Sequence, residues 1–370
     1  MKKPVPIAPP AASGHPRSTI GLTGHDEAEH TLLEAWNAGR LPHAWLIGGL
    51  RGVGKATLAY RFARFVLDAG SPATGSLFGA AAPPAGLDID TGSPLFHRIA
   101  AGGHADLLTV ELTVNEKTGR QRSEIPAEDV RRIVDFFRLT AAEGGYRVCI
   151  VDAVDEMNRY GANALLKILE EPPPRSLLLL VSHAPEGLLP TIRSRCRRLT
   201  LKPLGEAALT SIVAERLPDL PPAERQALVG LAEGSPGRAL SLAASGGVQL
   251  YHDLIQLLAR LPDLDVGQMH AFGEHLARRE NAAAYQVWTD LFAWWLARLA
   301  RSAAGAGSPA EIVAGEGALL QRLGRGRNLD RWAEVWEKVA RLFERADSVS
   351  LDRKQIVLNA LFAVGRAARG

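Results

Sequence analysis

Gly49-Leu50-Arg51-Gly52-Val53-Gly54-Lys55-Ala56-Thr57 sets three glycines ahead of a lysine at the spacing of a phosphate-binding loop. Glycines there let the backbone turn its N–H groups toward phosphate oxygens, and the lysine reaches the β/γ-phosphates. The next residue ordinarily supplies a hydroxyl to Mg²⁺. Here it is Ala56, whose methyl group cannot ligate a hard cation that takes oxygen donors. Thr57 comes one position late, on a different side of the helix, and is a poor substitute. The flanks fit such a loop: Ala44-Trp45-Leu46-Ile47 reads as a short buried strand and Leu58 to Leu67 as an apolar-striped helix. The expectation is ATP or ADP held by Gly49, Gly52, Gly54, Lys55 and Thr57 without hydrolysis, with Mg²⁺ in doubt.

The other half of such a site is a hydrophobic strand ending in acids, and Tyr146-Arg147-Val148-Cys149-Ile150-Val151-Asp152 fits it. Asp152 is placed to hold Mg²⁺ through water, as the strand-end aspartate does in related NTPases. The following position, where a glutamate would polarise the attacking water, is Ala153. Asp155 and Glu156 come later, at the start of an expected helix, and read as solvent-facing or capping carboxylates. Two catalytic positions are therefore alanine, which argues that hydrolysis is not the task of this chain.

Beyond Asp152 come Asn163-Ala164-Leu165-Leu166-Lys167-Ile168-Leu169-Glu170-Glu171-Pro172-Pro173, a strand at Leu177-Val181, and Ser194-Arg195-Cys196. With these motifs the chain resembles the clamp-loader branch of the AAA+ ATPases, over roughly residues 18 to 245. With the alanines at 56 and 153 it resembles the non-motor, delta-prime family within that branch. The resemblance implies that Arg195 reaches the ATP of an adjacent motor subunit. An arginine supplied in trans can neutralise charge on a transferred phosphoryl group, and its planar fork suits phosphate oxygens. Pairing with a nearby acid is the alternative for Arg195. The resemblance also implies that Arg238, in Gly234-Ser235-Pro236-Gly237-Arg238, senses the γ-phosphate in cis, and that Ser182 stands where a polar sensor stands. The implied partners are the tau/gamma motor subunits and the delta subunit, with the sliding clamp and primed DNA reached through the complex. Gly24-His25 opens a first helix that lies near the adenine in such proteins, with no side chain assigned.

Many relatives carry a four-cysteine zinc module after the first loop helix. This chain has two cysteines in all, Cys149 and Cys196, too few for a Cys₄ site or a disulfide framework, and a reducing cytoplasm is the natural setting. Residues 68–106 take the module's place as a loop-rich insert without zinc. His97 and His104 within it lack cysteine partners and read as loop residues, and no metal is expected.

The 370 residues are 46% hydrophobic with formal net charge +3 and pI ≈ 8.9. That size suggests two or three domains. No apolar run approaches the ~20 residues of a membrane span, and residues 1–17 read as a flexible tail without a signal-peptide core. The densest basic cluster is Arg193, Arg195, Arg197 and Arg198, a place to meet phosphates or a solvated face. Helical and short apolar segments alternate over 18–202, the pattern of a parallel sheet covered on both faces. Residues 203–245 read as a small helical lid. Stripes such as Val287, Trp288, Leu291, Phe292, Trp295 and Leu299, or Trp332, Val335, Trp336, Val339 and Phe343, make 246–370 an all-α bundle or collar. Most of its tryptophans are expected in the core. The fold class is α/β: an AAA+ phosphate-loop sheet domain, a lid and a helical collar. The expected function is that of a non-motor clamp-loader subunit, with a weak AAA+ ATPase motor as the alternative.

Overall fold

The computed structural model describes residues 14–71, 83–113, 122, 124–305, 310–325, 329–349 and 351–369, with the side chains of 347–349 left aside. Most of the expected tail and part of the insert lie outside the described residues. The chain divides into two compact units, 1–208 and 209–370.

The first unit is built on five parallel strands. They are β1 (Ala44–Gly48), β2 (Leu107–Glu111), β3 (Arg147–Asp152), β4 (Ser176–Ser182) and β5 (Arg197–Thr200), in the spatial order β2-β3-β4-β1-β5. Strand side chains alternate between faces, and here both faces are apolar. Trp45, Ile47, Val148, Ile150, Leu177, Leu179 and Val181 join one core. Ala44, Leu46, Cys149, Val151, Leu178 and Leu180 join the other. Runs buried on both sides are what parallel sheets require.

One face is covered by α1 (Asp26–Asn37) and α2 (Lys55–Ala69), through Leu32, Leu58, Phe62 and Val66. The opposite face is covered by α4 (Ala127–Arg138) and α5 (Arg159–Glu170), through Val130, Ile133, Leu165 and Ile168. Asn158 starts α5 by accepting from the Gly161 N–H at 2.9 Å, which satisfies one of the helix's orphan donors.

Where the zinc module was absent from the sequence, the described part of the insert is held by packing and ion pairs. Ser93 caps the short α3 (Pro94–Ala100), accepting from Phe96 N. Leu87, Leu95 and Ile99 are buried in the first core. Asp88 lies 3.0 Å from Arg61 of α2. His97 is exposed, whereas His104 is buried, its Nδ1 accepting from Asp106 N. Among the described residues no three His, Cys, Asp or Glu side chains are grouped to hold a metal ion.

The second unit is helical: the greater part of α7 (Glu206–Arg216), then α8 (Pro222–Ala232), α9 (Pro236–Ala244), α10 (Gly247–Ala259), α11 (Val266–Ala277), α12 (Ala282–Ala303), α13 (Glu316–Gly324), α14 (Leu329–Val349) and α15 (Arg353–Arg369). Trp288, Phe292 and Phe343 meet with ring centroids 5.0–6.1 Å apart. Trp288, Trp295 and Trp332 are fully buried, and Trp336 is exposed. The carboxylate of Glu316 is sealed inside this unit, accepting from Tyr251 Oη at 2.7 Å, Arg298 Nε at 2.9 Å and Ile312 N at 2.9 Å. Among the described residues no helix is long and apolar enough to cross a membrane.

Candidate functional site

Strand register places the candidate groups in one row along the carboxyl edge of the sheet. Gly48 is level with Ser182, Val181 with Asp152, and Asp152 with Glu111. Open α/β sheets bind ligands at this edge. The phosphate loop rises from it, and its glycines carry backbone that side chains resist. Gly49 has φ +143°, and a Cβ there would sit 2.6 Å from the Leu201 carbonyl oxygen. Gly54, at φ +114°, leads directly into α2. His25, the residue before α1, puts Nε2 2.8 Å from the Val53 carbonyl and fastens the first helix to the loop. No role was read for His25 from sequence, because its partner is 28 residues away.

Lys55 is 3% exposed. Its Nζ donates to the Gly49 and Leu50 carbonyls at 2.8 and 2.6 Å, so the ammonium is held by its own loop. Burial pushes its pKa down to about 8, against the pull of Asp152 and Asp155. Asp152 is pushed up to about 6 by burial and then by Glu111, with Lys55 opposing. Both groups carry charge at neutral pH in a setting that disfavours it. Ala56 follows Lys55 on α2, and Thr57 is half-buried one position on.

The expectation that Asp155 and Glu156 face solvent or cap a helix is corrected by the structure. After β3 the chain makes a single three-residue turn, Val154–Glu156, and α5 starts only at Arg159. The turn directs Asp155 to the end of β4 and Glu156 to the phosphate loop. Asp155 accepts from Ser182 Oγ at 2.5 Å and from the His183 backbone N–H. Glu156 pairs with Arg51 of the phosphate loop at 2.5 Å. Ser182 is fully buried and spends its hydroxyl on Asp155. His183 is kept neutral, its pKa lowered to about 4 by burial and by Lys55 and Arg51.

Glu111 is a site residue that sequence reading missed. It ends β2 beside Asp152 and lies 3.3 Å from Arg17. The β-branched and apolar run Leu107-Leu108-Thr109-Val110 was the available signal.

Arg195 follows α6 (Pro190–Arg193). Its Nη2 is 2.9 Å from Glu170 Oε1 at the end of α5, and its Nη1 donates to the Thr191 carbonyl at 3.0 Å. Arg193 pairs with Glu186, and Arg198 stands 3.8 Å from the same carboxylate. Arg197 opens β5 with an exposed side chain and makes no ion pair among the described residues. Arg238 belongs to the second unit, where its backbone N–H is capped by Ser235 Oγ at 3.2 Å and its guanidinium lies 3.8 Å from Glu233.

With this geometry in place, a family model described as "DNA polymerase III, delta subunit" matches residues 24–205. Over that stretch the chain is similar to the clamp-loader subunits of DNA polymerase III. It is 36% identical to subunit delta' of DNA polymerase III from Pseudomonas aeruginosa over 204 residues, 55% of this chain and 56% of that protein. It is 31% identical to the Escherichia coli subunit delta' over 231 residues, 62% of each chain. Subunit tau from Salmonella typhimurium is 30% identical over 332 residues, 85% of this chain and 48% of the relative. The chain thus spans about half to three-fifths of the length of these relatives. The matched stretch contains the phosphate loop, Asp152 and Arg195, whereas Arg238 lies beyond it.

Proposed function

We propose that this chain is the non-motor, delta-prime-type subunit of a DNA polymerase III clamp loader. It joins tau/gamma motor subunits and a delta subunit in the cytoplasm, and through that complex it helps place the sliding clamp on primed DNA. Arg195 is its contribution to a neighbouring ATP site. The observation that carries the reading is the set of engagements around the loop. Ala56 and Ala153 lack the metal-ligating and water-polarising groups. Asp155 and Glu156, the carboxylates that could replace the missing base, are held by Ser182, His183 and Arg51. Glycines and Lys55 remain, so ATP or ADP is held without turnover, with Asp152 as the remaining Mg²⁺ anchor.

The test has two arms. The purified chain should show no steady ATP hydrolysis above that of Lys55→Ala. In a reconstituted complex, Arg195→Ala should depress the clamp- and primed-DNA-stimulated ATPase at matched assembly. No association with motor or delta-type subunits in gel filtration would end this reading.

A second reading, a weak ATPase motor, is favoured by one observation: the alignment with subunit tau extends over 85% of this chain. It predicts steady hydrolysis by the isolated chain that Lys55→Ala abolishes.

A further inference from the structure

The guanidinium of Arg195 is engaged within its own chain. Nη2 goes to Glu170 and Nη1 to the Thr191 carbonyl, with Ser194 Oγ at 3.5 Å. In this pose both terminal nitrogens already donate, one to a carboxylate and one to a helix-end carbonyl, so a bidentate grip on phosphate through them competes with these contacts. The pair is also open to water, with Arg195 35% and Glu170 51% exposed. An ion pair so exposed adds little to folding. The contact between α5 and α6 is already secured by Leu165, Ile168, Leu169 and Ile192 in the second core. A structural staple therefore does not account for it. What a weak, solvent-exposed carboxylate partner does well is give way to a stronger anion. A terminal phosphate offers more charge and three oxygens, and arginine binds it through two parallel hydrogen bonds.

We infer that Glu170 is a positioning residue for Arg195. It parks the guanidinium against the end of α6 until the polyphosphate of a neighbouring subunit displaces the carboxylate. The inference rests on the reading of Arg195 given above. Exchange of one anion for another on the same guanidinium makes the cost of releasing Glu170 part of the apparent affinity of the neighbouring site. Because the pair is exposed, that cost corresponds to no more than about fivefold. It must also fade as salt shortens the Debye length from about 10 Å at 0.1 M to about 3 Å at 1 M.

The experiment uses the complete reconstituted complex carrying Glu170→Gln, Arg195→Ala or Arg197→Ala, with assembly and thermal melting matched first. Apparent KM for ATP and the pre-steady-state burst amplitude are read at low and high salt. Glu170→Gln should keep the full burst and lower KM by up to about fivefold at low salt, converging on wild type at high salt. Arg195→Ala should lose the burst amplitude of one interface, and Arg197→Ala should keep it. If Arg195→Ala loses its burst while Glu170→Gln leaves KM and its salt dependence unchanged, the inference fails and the trans-arginine reading stands. If Glu170→Gln loses the burst as Arg195→Ala does, Glu170 supports the finger and does not compete for it, and the inference fails again. A full burst in Arg195→Ala overturns both.

Discussion

Lys55→Met, followed as a function of pH, tests the electrostatics of the phosphate loop directly. In the folded chain the Lys55 pKa lies at about 8 against 10.5 for the free side chain, chiefly because burial removes water from the ammonium. A difference of that size corresponds to about 3 kcal/mol, at 1.36 kcal/mol per unit. The sign follows from proton counts. Below pH 8 the folded and unfolded forms both carry the proton, and the charged lysine destabilises the fold by the full amount. Between pH 8 and 10.5 the unfolded chain keeps a proton that the folded chain has lost, so stability contributed by this group rises with pH. Above 10.5 the cost has gone. Other groups titrate in this window too, and subtracting the Lys55→Met curve from wild type removes those that do not interact with Lys55; Asp152, which does, titrates below the window, at about 6.

The expected result is a wild-type minus variant difference that is flat from pH 6.5 to about 8 and climbs by about 2 kcal/mol toward pH 9.5. Urea unfolding at half-unit intervals gives the curve, and pulsed amide exchange of β1 and β4 assigns the transition to the first unit. A difference that stays level through pH 9.5 would show a hydrated or carboxylate-paired Lys55, and the account of the loop would be wrong. Bound ADP adds a sharper arm. Its phosphates supply the missing countercharge, so saturating ADP should move the onset of the climb to higher pH, with proton uptake on binding near pH 8.

Asp152→Asn should stabilise the protein above pH 6 by up to about 3 kcal/mol and leave it unchanged near pH 4. Asp152 is pushed up to about 6, so the folded state holds an extra proton between 3.8 and 6 and stability falls as pH rises through that window. Equal melts of variant and wild type at pH 7.5 would contradict this. Gly49→Ala places a Cβ 2.6 Å from the Leu201 oxygen at φ +143°; a loss of at least 1–3 kcal/mol in urea unfolding is expected, and a neutral substitution would mean that the loop backbone differs. Arg298→Leu leaves the Glu316 carboxylate buried without its cation. It should lose about 3–5 kcal/mol in chemical denaturation of the second unit, and a loss under 1 kcal/mol would refute the buried pair.

What the sequence disclosed and what it hid divide along physical lines. β1, β3 and β4 are runs buried on both faces, and Ala44-Trp45-Leu46-Ile47 or Leu177–Val181 can be read without tertiary knowledge. β2 and β5 are the sheet's edges. Thr109 and Glu111 break the apolar run of one, and Arg197-Arg198 made the other look like a basic patch. Charges on an exposed edge are what keep it from pairing with another sheet. Asp155 was misread because capping logic is local, whereas its partners Ser182 and His183 arrive from β4, 27 and 28 residues on. Pairing of Arg195 with an acid was the alternative the sequence offered, but Glu170 as that acid was hidden for the same reason: the pair joins the end of α5 to the turn after α6.

The retained and the missing parts of the loop are both accounted for by the proposed reading. Holding Lys55 charged and nearly inaccessible beside a raised Asp152 is unfavourable at neutral pH, and Gly49 and Gly54 hold backbone that resists other residues. Methionine at 55 would hold the same packing without that electrostatic cost, so the lysine makes sense as a group kept ready for an anion. A motor would need its carboxylates free as well, and here Asp155 and Glu156 are held by hydrogen bonds and an ion pair within the chain. Nucleotide bound as proposed would compete for Lys55 with the Gly49 and Leu50 carbonyls. Those carbonyls lie one strand away from Leu201, which bonds Gly48 and follows β5, and β5 begins two residues after Arg195. The phosphate loop and Arg195 are therefore joined through one short stretch of edge strand. A Gly49→Ala chain that still assembles should show weakened nucleotide binding and, through β5, an altered Arg195 contribution to the neighbouring site.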